Sequence, residues 1–281
     1  MNCLNEIMES IETLPTLPTV FMKTVALLDK KDVELSEIVD IIKYDPAITA
    51  NTLKICNSAY YGLMRKVSSL NEAATYVGTN ELIKIALMGS SANFLKEEID
   101  GYCLDEGELY RHSTGCASAS QILLKKMNRE NQTMLFTASL LHDIGKLILS
   151  RYVKNEYMKI YKLVIQKKCT FSEAEKEILN TTHAEVGAIL SEKWNFPNEL
   201  TTIIKYHHEP DKSPEEIRES IEIIHLSDLM CLMAGIGIGA DGIAYKPEIE
   251  NAKLLEIIGK ELNLIIFELV TEVERIGNSF L

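Results

Sequence analysis

The chain is predicted to be all-α and arranged as two helical lobes, and three observations carry that prediction. Apolar residues recur at helical spacing along most of the sequence, no run alternates strictly enough for a strand, and the punctuation consists of helix starts and stops. With 281 residues, 46% of them apolar, there is enough material for one large domain or two modest ones.

The elements follow in order. Leu14-Pro15-Thr16-Leu17-Pro18 is a stiff entry, because each proline fixes its own φ and pushes the residue before it towards extended backbone. Asp45-Pro46 starts a helix: the carboxylate caps free amides, and proline occupies the first turn without losing a hydrogen bond. Ser69-Leu70-Asn71-Glu72 has capping-box spacing. Helices of ordinary length therefore fill positions from about 19 to about 95. Lys96 to Glu108 holds six acids and two glycines, and is the expected boundary between a lobe over 1–98 and a second over 99–281.

In the second lobe, His112 lies on a helix where Gly115, Cys116 and Ala119 permit close packing. Leu135, Ala138, Ser139 and His142 share one helix face, with Asp143 about 100° further round. His183 follows Thr182 in the capping-box arrangement Thr182-His183-Ala184-Glu185. His207-His208 closes a helix that begins near Pro197 and is stopped by Pro210. Asp228 shares a face with Ile221, Ile224 and His225, a costly place for a carboxylate unless it is paired or bound to a cation.

Bulk properties narrow the function. Twenty-nine basic residues against 41 acidic ones leave a formal charge of −12, which disfavours a broad grip on a nucleic-acid polymer or an anionic membrane. Lys54, Arg65, Lys66 and Lys84 form no dense basic run, so helix-turn-helix DNA binding is not expected. Leu229 to Ala240, the longest uncharged apolar stretch, is too short for a bilayer span of about 20 residues. Six cysteines are scattered without a C-x-x-C pair, and the N-terminus has neither a basic nor an apolar leader region, so the chain reads as a reduced, cytoplasmic protein. Gly237-Ile238-Gly239-Ala240-Asp241-Gly242 matches G-x-G-x-x-G literally but follows a helix, and reads as a flexible loop rather than a dinucleotide site.

All six histidines lie between positions 112 and 225. Any one of them, met alone on an apolar face, is ordinarily a satisfied core residue, and His225 reads that way. As a set, His112, His142, Asp143, His183, His207, His208 and Asp228 form the imidazole and carboxylate inventory of a binuclear transition-metal site.

At these residues the sequence resembles the HD superfamily of metal-dependent phosphohydrolases, and most closely its HDOD branch. The N-terminal half matches the HDOD pattern at Leu14-Pro15-Thr16-Leu17-Pro18, Tyr44-Asp45-Pro46-Ala47-Ile48, Asn57-Ser58-Ala59-Tyr60-Tyr61-Gly62 and Val67-Ser68-Ser69-Leu70-Asn71-Glu72-Ala73, and the likeness spans about residues 14–240. It implies one metal held by His112, His142, Asp143 and Asp228, and a second by His183, His207 and His208, with Asp143 bridging. Iron or manganese is the implied pair of ions. Related HD-GYP phosphodiesterases hydrolyse cyclic dinucleotides at such a centre, with Asp143 and Lys146 in the catalytic positions and Lys146 on a phosphate oxygen. This chain reads Pro210-Asp211-Lys212-Ser213-Pro214 where that group has its glycine- and tyrosine-bearing signature. HDOD proteins generally resemble signalling output modules. The expectation is therefore a signal-transduction protein with an intact binuclear site, acting through signalling partner proteins or a phosphorylated small molecule. The alternative is an active phosphohydrolase on a nucleotide such as a cyclic dinucleotide.

Overall fold

The computed structural model describes residues 3–13, 17–30, 32–58, 61–129, 132–247 and 249–280. Residues 14–16 of the proline entry, and residues 59 and 60 of the Asn57–Gly62 tract, lie outside the described residues. Among the described residues the secondary structure is helical throughout, the one β-type pairing being an isolated bridge between Ile99 and Leu104.

The first lobe contains α1 (Cys3–Thr13), α2 (Thr19–Ala26), α3 (Leu35–Ile42), α4 (Pro46–Cys56), α5 (Leu70–Val77) and α6 (Thr79–Leu95). The second contains α7 (Glu108–Lys126), α8 (Thr133–Leu141), α9 (Lys146–Lys167), α10 (Phe171–Leu179), α11 (His183–Lys193), α12 (Asn198–Tyr206), α13 (Arg218–Met233) and α14 (Ala252–Phe280). The Asp45 carboxylate accepts from the Ile48 amide at 3.0 Å with Pro46 in the first turn, as the dipeptide predicts. Ser69 Oγ accepts from the Glu72 amide at 3.2 Å, while Glu72 reaches one residue further back, to the Ser68 amide at 3.0 Å. The serine half of the predicted box thus forms, and the glutamate half is displaced by one residue.

Helix α6 joins the lobes. It is buried almost all round from Leu82 to Ala92, which marks a helix with neighbours on every side. Helices α2 and α4 lie against it from the first lobe, and α7 and α8 from the second. One apolar core runs from Ile7 to Val273. Helix α1 packs on α9, where the Ser10 and Tyr152 hydroxyls meet at 2.7 Å.

The acidic stretch between α6 and α7 is a packed connection. Ile99, Tyr102 and Leu104 are buried, and the Gly101 amide donates to Ser150 Oγ on α9 at 2.9 Å. A Cβ on Gly101 would stand 1.9 Å from the Ser150 carbonyl oxygen, so only glycine allows this approach. Among the described residues no helix is long and apolar enough to cross a membrane.

Candidate metal centre

Five helices aim their chemistry at one point in the second lobe. His112 projects from the second turn of α7. His142 caps the C-terminal end of α8, and Asp143 sits in the turn before Lys146 begins α9. His183 opens α11 behind its Thr182 cap, and the predicted capping box with Glu185 is present. His207 and His208 follow the last residue of α12, and Asp228 lies on the buried face of α13 with Ile221, Ile224 and His225. All seven sequence-predicted ligands are brought together. Six of them are between 0% and 4% exposed, and His208 alone is partly open.

Two groups emerge. Ligand atoms of His112, Cys116, His142 and Asp228 lie within 4.8 Å of one another, as do those of Asp143, His183, His207 and His208. Asp143 stands between the groups. Its Oδ2 is 3.7 Å from His112 Nε2 and 3.4 Å from His142 Nε2. Its Oδ1 is 3.5 Å from His183 Nε2 and 3.9 Å from His207 Nε2. One carboxylate thus presents a different oxygen to each group, the disposition a bridging ligand needs.

The protons on the imidazoles are set from outside. Nδ1–H donates to the Ile236 carbonyl in His112 (3.0 Å), the Ser139 carbonyl in His142 (2.7 Å) and the Ile204 carbonyl in His207 (2.7 Å). In His183 it donates to the Glu175 carboxylate at 2.8 Å. A carbonyl can only accept, so the Nε2 atoms of neutral His142 and His207 keep their lone pairs and point inward, as in ligating histidines held by outer partners, while His112 Nε2 faces Asp228. The Nε2 atoms of His142 and His207 are buried with no hydrogen-bond partner, and those of His183 and His208 converge at 2.8 Å. Orphaned inward lone pairs of this kind are what a cation satisfies, and the donor set fits a divalent ion at each group.

Charge points the same way. Asp143, Asp228, Glu175 and Asp241 face the centre, with the Lys146 ammonium between Asp143 and Asp241. Even with His112 protonated against Asp228, the four carboxylates outnumber the cations that face them, an arrangement too costly to bury uncompensated. Burial pushes His142, His207 and His208 below the usual imidazole range, and the neighbouring imidazoles push His207 and His208 further. Burial also disfavours charge on His112, but Asp228 at 3.1 Å outweighs it and lifts the group to about 10. Glu175 likewise raises His183 against its burial. Asp143 lies well below the usual carboxylate range, because Lys146 and the surrounding imidazoles overcome the effect of burial.

Lys146 is buried, with Nζ 2.5 Å from Asp143 Oδ2 and 2.6 Å from Asp241 Oδ2. Asp241 belongs to the glycine-bearing loop after α13. The loop lies where the sequence places it, but it is packed tightly on the centre rather than flexible, because the backbone at Gly237 and Gly239 seats directly on its neighbours. Gly237, at φ +59°, brings its backbone so close that a Cβ would meet Glu108 O at 2.5 Å and His112 Cβ at 2.6 Å. His225 is structural, as expected: its ring nitrogens lie against the His207 and Lys246 carbonyls at 2.8 and 3.2 Å.

Sequence reasoning missed three residues. Cys116, one turn after His112, was read only as a small packing residue, although i and i+4 share a face. Glu175, fully buried, sits at i+4 from Phe171 on an apolar face, a signal as strong as that of Asp228. Asp241 carried no signal, since only the loop's path brings it to Lys146.

A model of the HDOD domain matches residues 14–210, a span that ends before Asp228. An uncharacterised protein of Treponema pallidum is 24% identical over 207 residues, 72% of this chain, and the match spans 39% of that protein's length. An HDOD domain protein of unknown function from Geobacter sulfurreducens superposes with a TM-score of 0.80 at 25% identity, covering 99% of this chain and 97% of that one. A candidate phosphohydrolase from Shewanella amazonensis shares the fold at a TM-score of 0.71 and 18% identity, with 98% of each chain covered. A candidate signal transduction protein from Marinobacter aquaeolei does so at 0.69 and 20%, covering 98% of this chain and 64% of that one. The matched span and the shared fold together place the chain in the HDOD domain family.

Proposed function

We propose that this HDOD protein is a signal-transduction module built around a two-ion centre of iron or manganese, which acts through signalling partner proteins or a phosphorylated small molecule. The observation that carries this reading is how little room is left beside the centre. Beside His183, His208 and Tyr245 the cavity holds only about 30 Å³, room for about two waters and none for a phosphodiester. The Lys146–Asp241 ion pair and the packed Gly237 loop take up space on one side of the centre.

The metal supplies cross-linking charge, and when bound it also lowers the pKa of any water it holds. The protein's own residues do the rest. Glu175 and three backbone carbonyls orient the imidazoles, Asp143 spans the two groups, and Lys146 neutralises the Asp143 oxygen nearer His142. A ligand that binds only the folded state stabilises it by mass action, about 2.7 kcal/mol at a hundredfold excess over its dissociation constant.

One observation favours a phosphohydrolase as the second reading. A surface groove of about 610 Å³, lined by four lysines and four acids, adjoins the centre at His208 and gives a ligand a route to it. Metal titration followed by melting temperature and by hydrolysis of bis(p-nitrophenyl) phosphate separates the readings. The signalling module gives a metal-dependent rise in melting temperature without hydrolysis. Steady metal-dependent hydrolysis would overturn it in favour of the phosphohydrolase.

A further inference from the structure

The two groups of ligand atoms differ in chemistry. Around Asp143 the donors are three imidazoles and a carboxylate. Around Asp228 they are two imidazoles, a carboxylate and the sulfur of Cys116. Cys116 is fully buried on α7, its Sγ 3.5 Å from His112 Nε2, and the His142 Nε2 aimed into the same group is buried without a hydrogen-bond partner. That unpartnered nitrogen is independent of the cysteine, and it locates the point at which an ion would sit.

We propose that Cys116 is a further ligand of the position formed by His112, His142, Asp228 and the bridging Asp143, a thiolate that makes this position take zinc or ferrous iron in preference to manganese. The proposal rests on the metal-centre reading above and deepens it: the centre is two dissimilar positions, one with a thiolate and one without. Thiolate ligands favour the softer ions, whereas carboxylate-rich sets accommodate manganese. Two imidazole nitrogens and a thiolate sulfur, beside carboxylate oxygens, are donor types that zinc takes. On binding, the Sγ–H bond breaks, the proton leaves to solvent and an Sγ–metal bond forms, with no change of oxidation state.

Helix packing supports this placement. Gly115 lets α7 approach α13 so closely that a Cβ there would lie 3.0 Å from Cys231 Sγ. Close approach at Gly115 sets the next residue, Cys116, at the level of Asp228 between the two helices. Cys231 is a second thiol at the same contact but is not among the ligand atoms that meet, which makes it the natural control.

The test uses the full chain, loaded separately with cobalt(II) and with zinc, with bound metal counted by elemental analysis. The expected result is a sulfur-to-cobalt charge-transfer band in the near ultraviolet, and a sulfur scatterer at about 2.3 Å in zinc X-ray absorption. Both signals should persist in Cys231→Ser and vanish in Cys116→Ser. Zinc affinity at one of the two positions should also fall at least about tenfold, since losing a ligand costs no less than losing its outer partner. Metal bound without any sulfur signal in the wild type overturns the Cys116 assignment and leaves the metal centre standing. So does a sulfur signal that survives in Cys116→Ser. Should the serine variant fail to fold, Cys116→Ala and the wild-type absorption spectrum carry the same decision. A chain that takes up neither cobalt nor zinc overturns the metal-centre reading and this proposal together.

Discussion

The two halves of the centre are built differently. The His112, Cys116, His142 and Asp228 group rests mainly on the long helices α7 and α13, and every member is buried. The Asp143, His183, His207 and His208 group rests on helix ends and turns, and His208 opens onto the lysine-bearing groove. Helix faces in a packed core hold side chains rigidly, while caps and turns can shift without unpacking the core. The first position is therefore the anchor, and the second is where a ligand in the groove can be felt.

The largest expected effect removes both positions at once. Asp143→Ala takes away the one carboxylate whose two oxygens face both groups, and both equivalents of metal should be lost by elemental analysis. A variant that keeps two equivalents would show that Asp143 does not bridge. Asp228→Ala, by contrast, should cost only the anchor, leaving about one equivalent and most of the response to a groove ligand. Loss of both ions in that variant would mean that the positions are not separable.

Backbone packing gives the next effect. A Cβ on Gly145 would meet His183 O at 1.9 Å and Gly187 N at 2.6 Å, so Gly145→Ala must force α9 from α11. Overpacking of this kind costs about 1–3 kcal/mol. The loss should be visible in denaturant unfolding and should disturb the second position more than the first. Glu175→Gln is milder. It keeps the shape but weakens the acceptor for His183 Nδ1–H, and metal affinity at the second position should fall about 10- to 100-fold, with the first unchanged. Equal losses at both positions in a calorimetric titration would erase the distinction.

The smallest effect is a pH dependence. Ligating imidazole must be neutral, and His112, raised to about 10, carries a proton at neutral pH. Binding at the first position therefore releases that proton, and its affinity should climb as pH rises from about 7 to about 9. An affinity that is flat over this range would mean that His112 binds as the proton-free form already present.

The comparison also shows what could be read in advance. Asp45-Pro46 and Thr182–Glu185 announce their helix starts locally, because a cap is satisfied within four residues. The histidines and aspartates declared themselves because imidazoles and carboxylates on apolar helix faces are expensive without a partner. Cys116 declared nothing, since a thiol is equally at home in an apolar core. The acidic stretch over Lys96 to Glu108 reads as a boundary by composition, and only the structure shows that Gly101 seats it on α9.

The sequence by itself determined the all-α class, several helix starts and the seven imidazole and carboxylate side chains of the candidate centre, because periodicity, capping and the cost of buried charge act within one element. Only the tertiary structure decided that Asp143 turns one oxygen to each group, that Cys116 joins His112, and that Asp241 reaches Lys146. Those contacts depend on how α7, α8, α11 and α13 cross and on the path of the Gly237 loop. Distances between separate helices are set by packing of the whole core, which no local stretch of chain encodes.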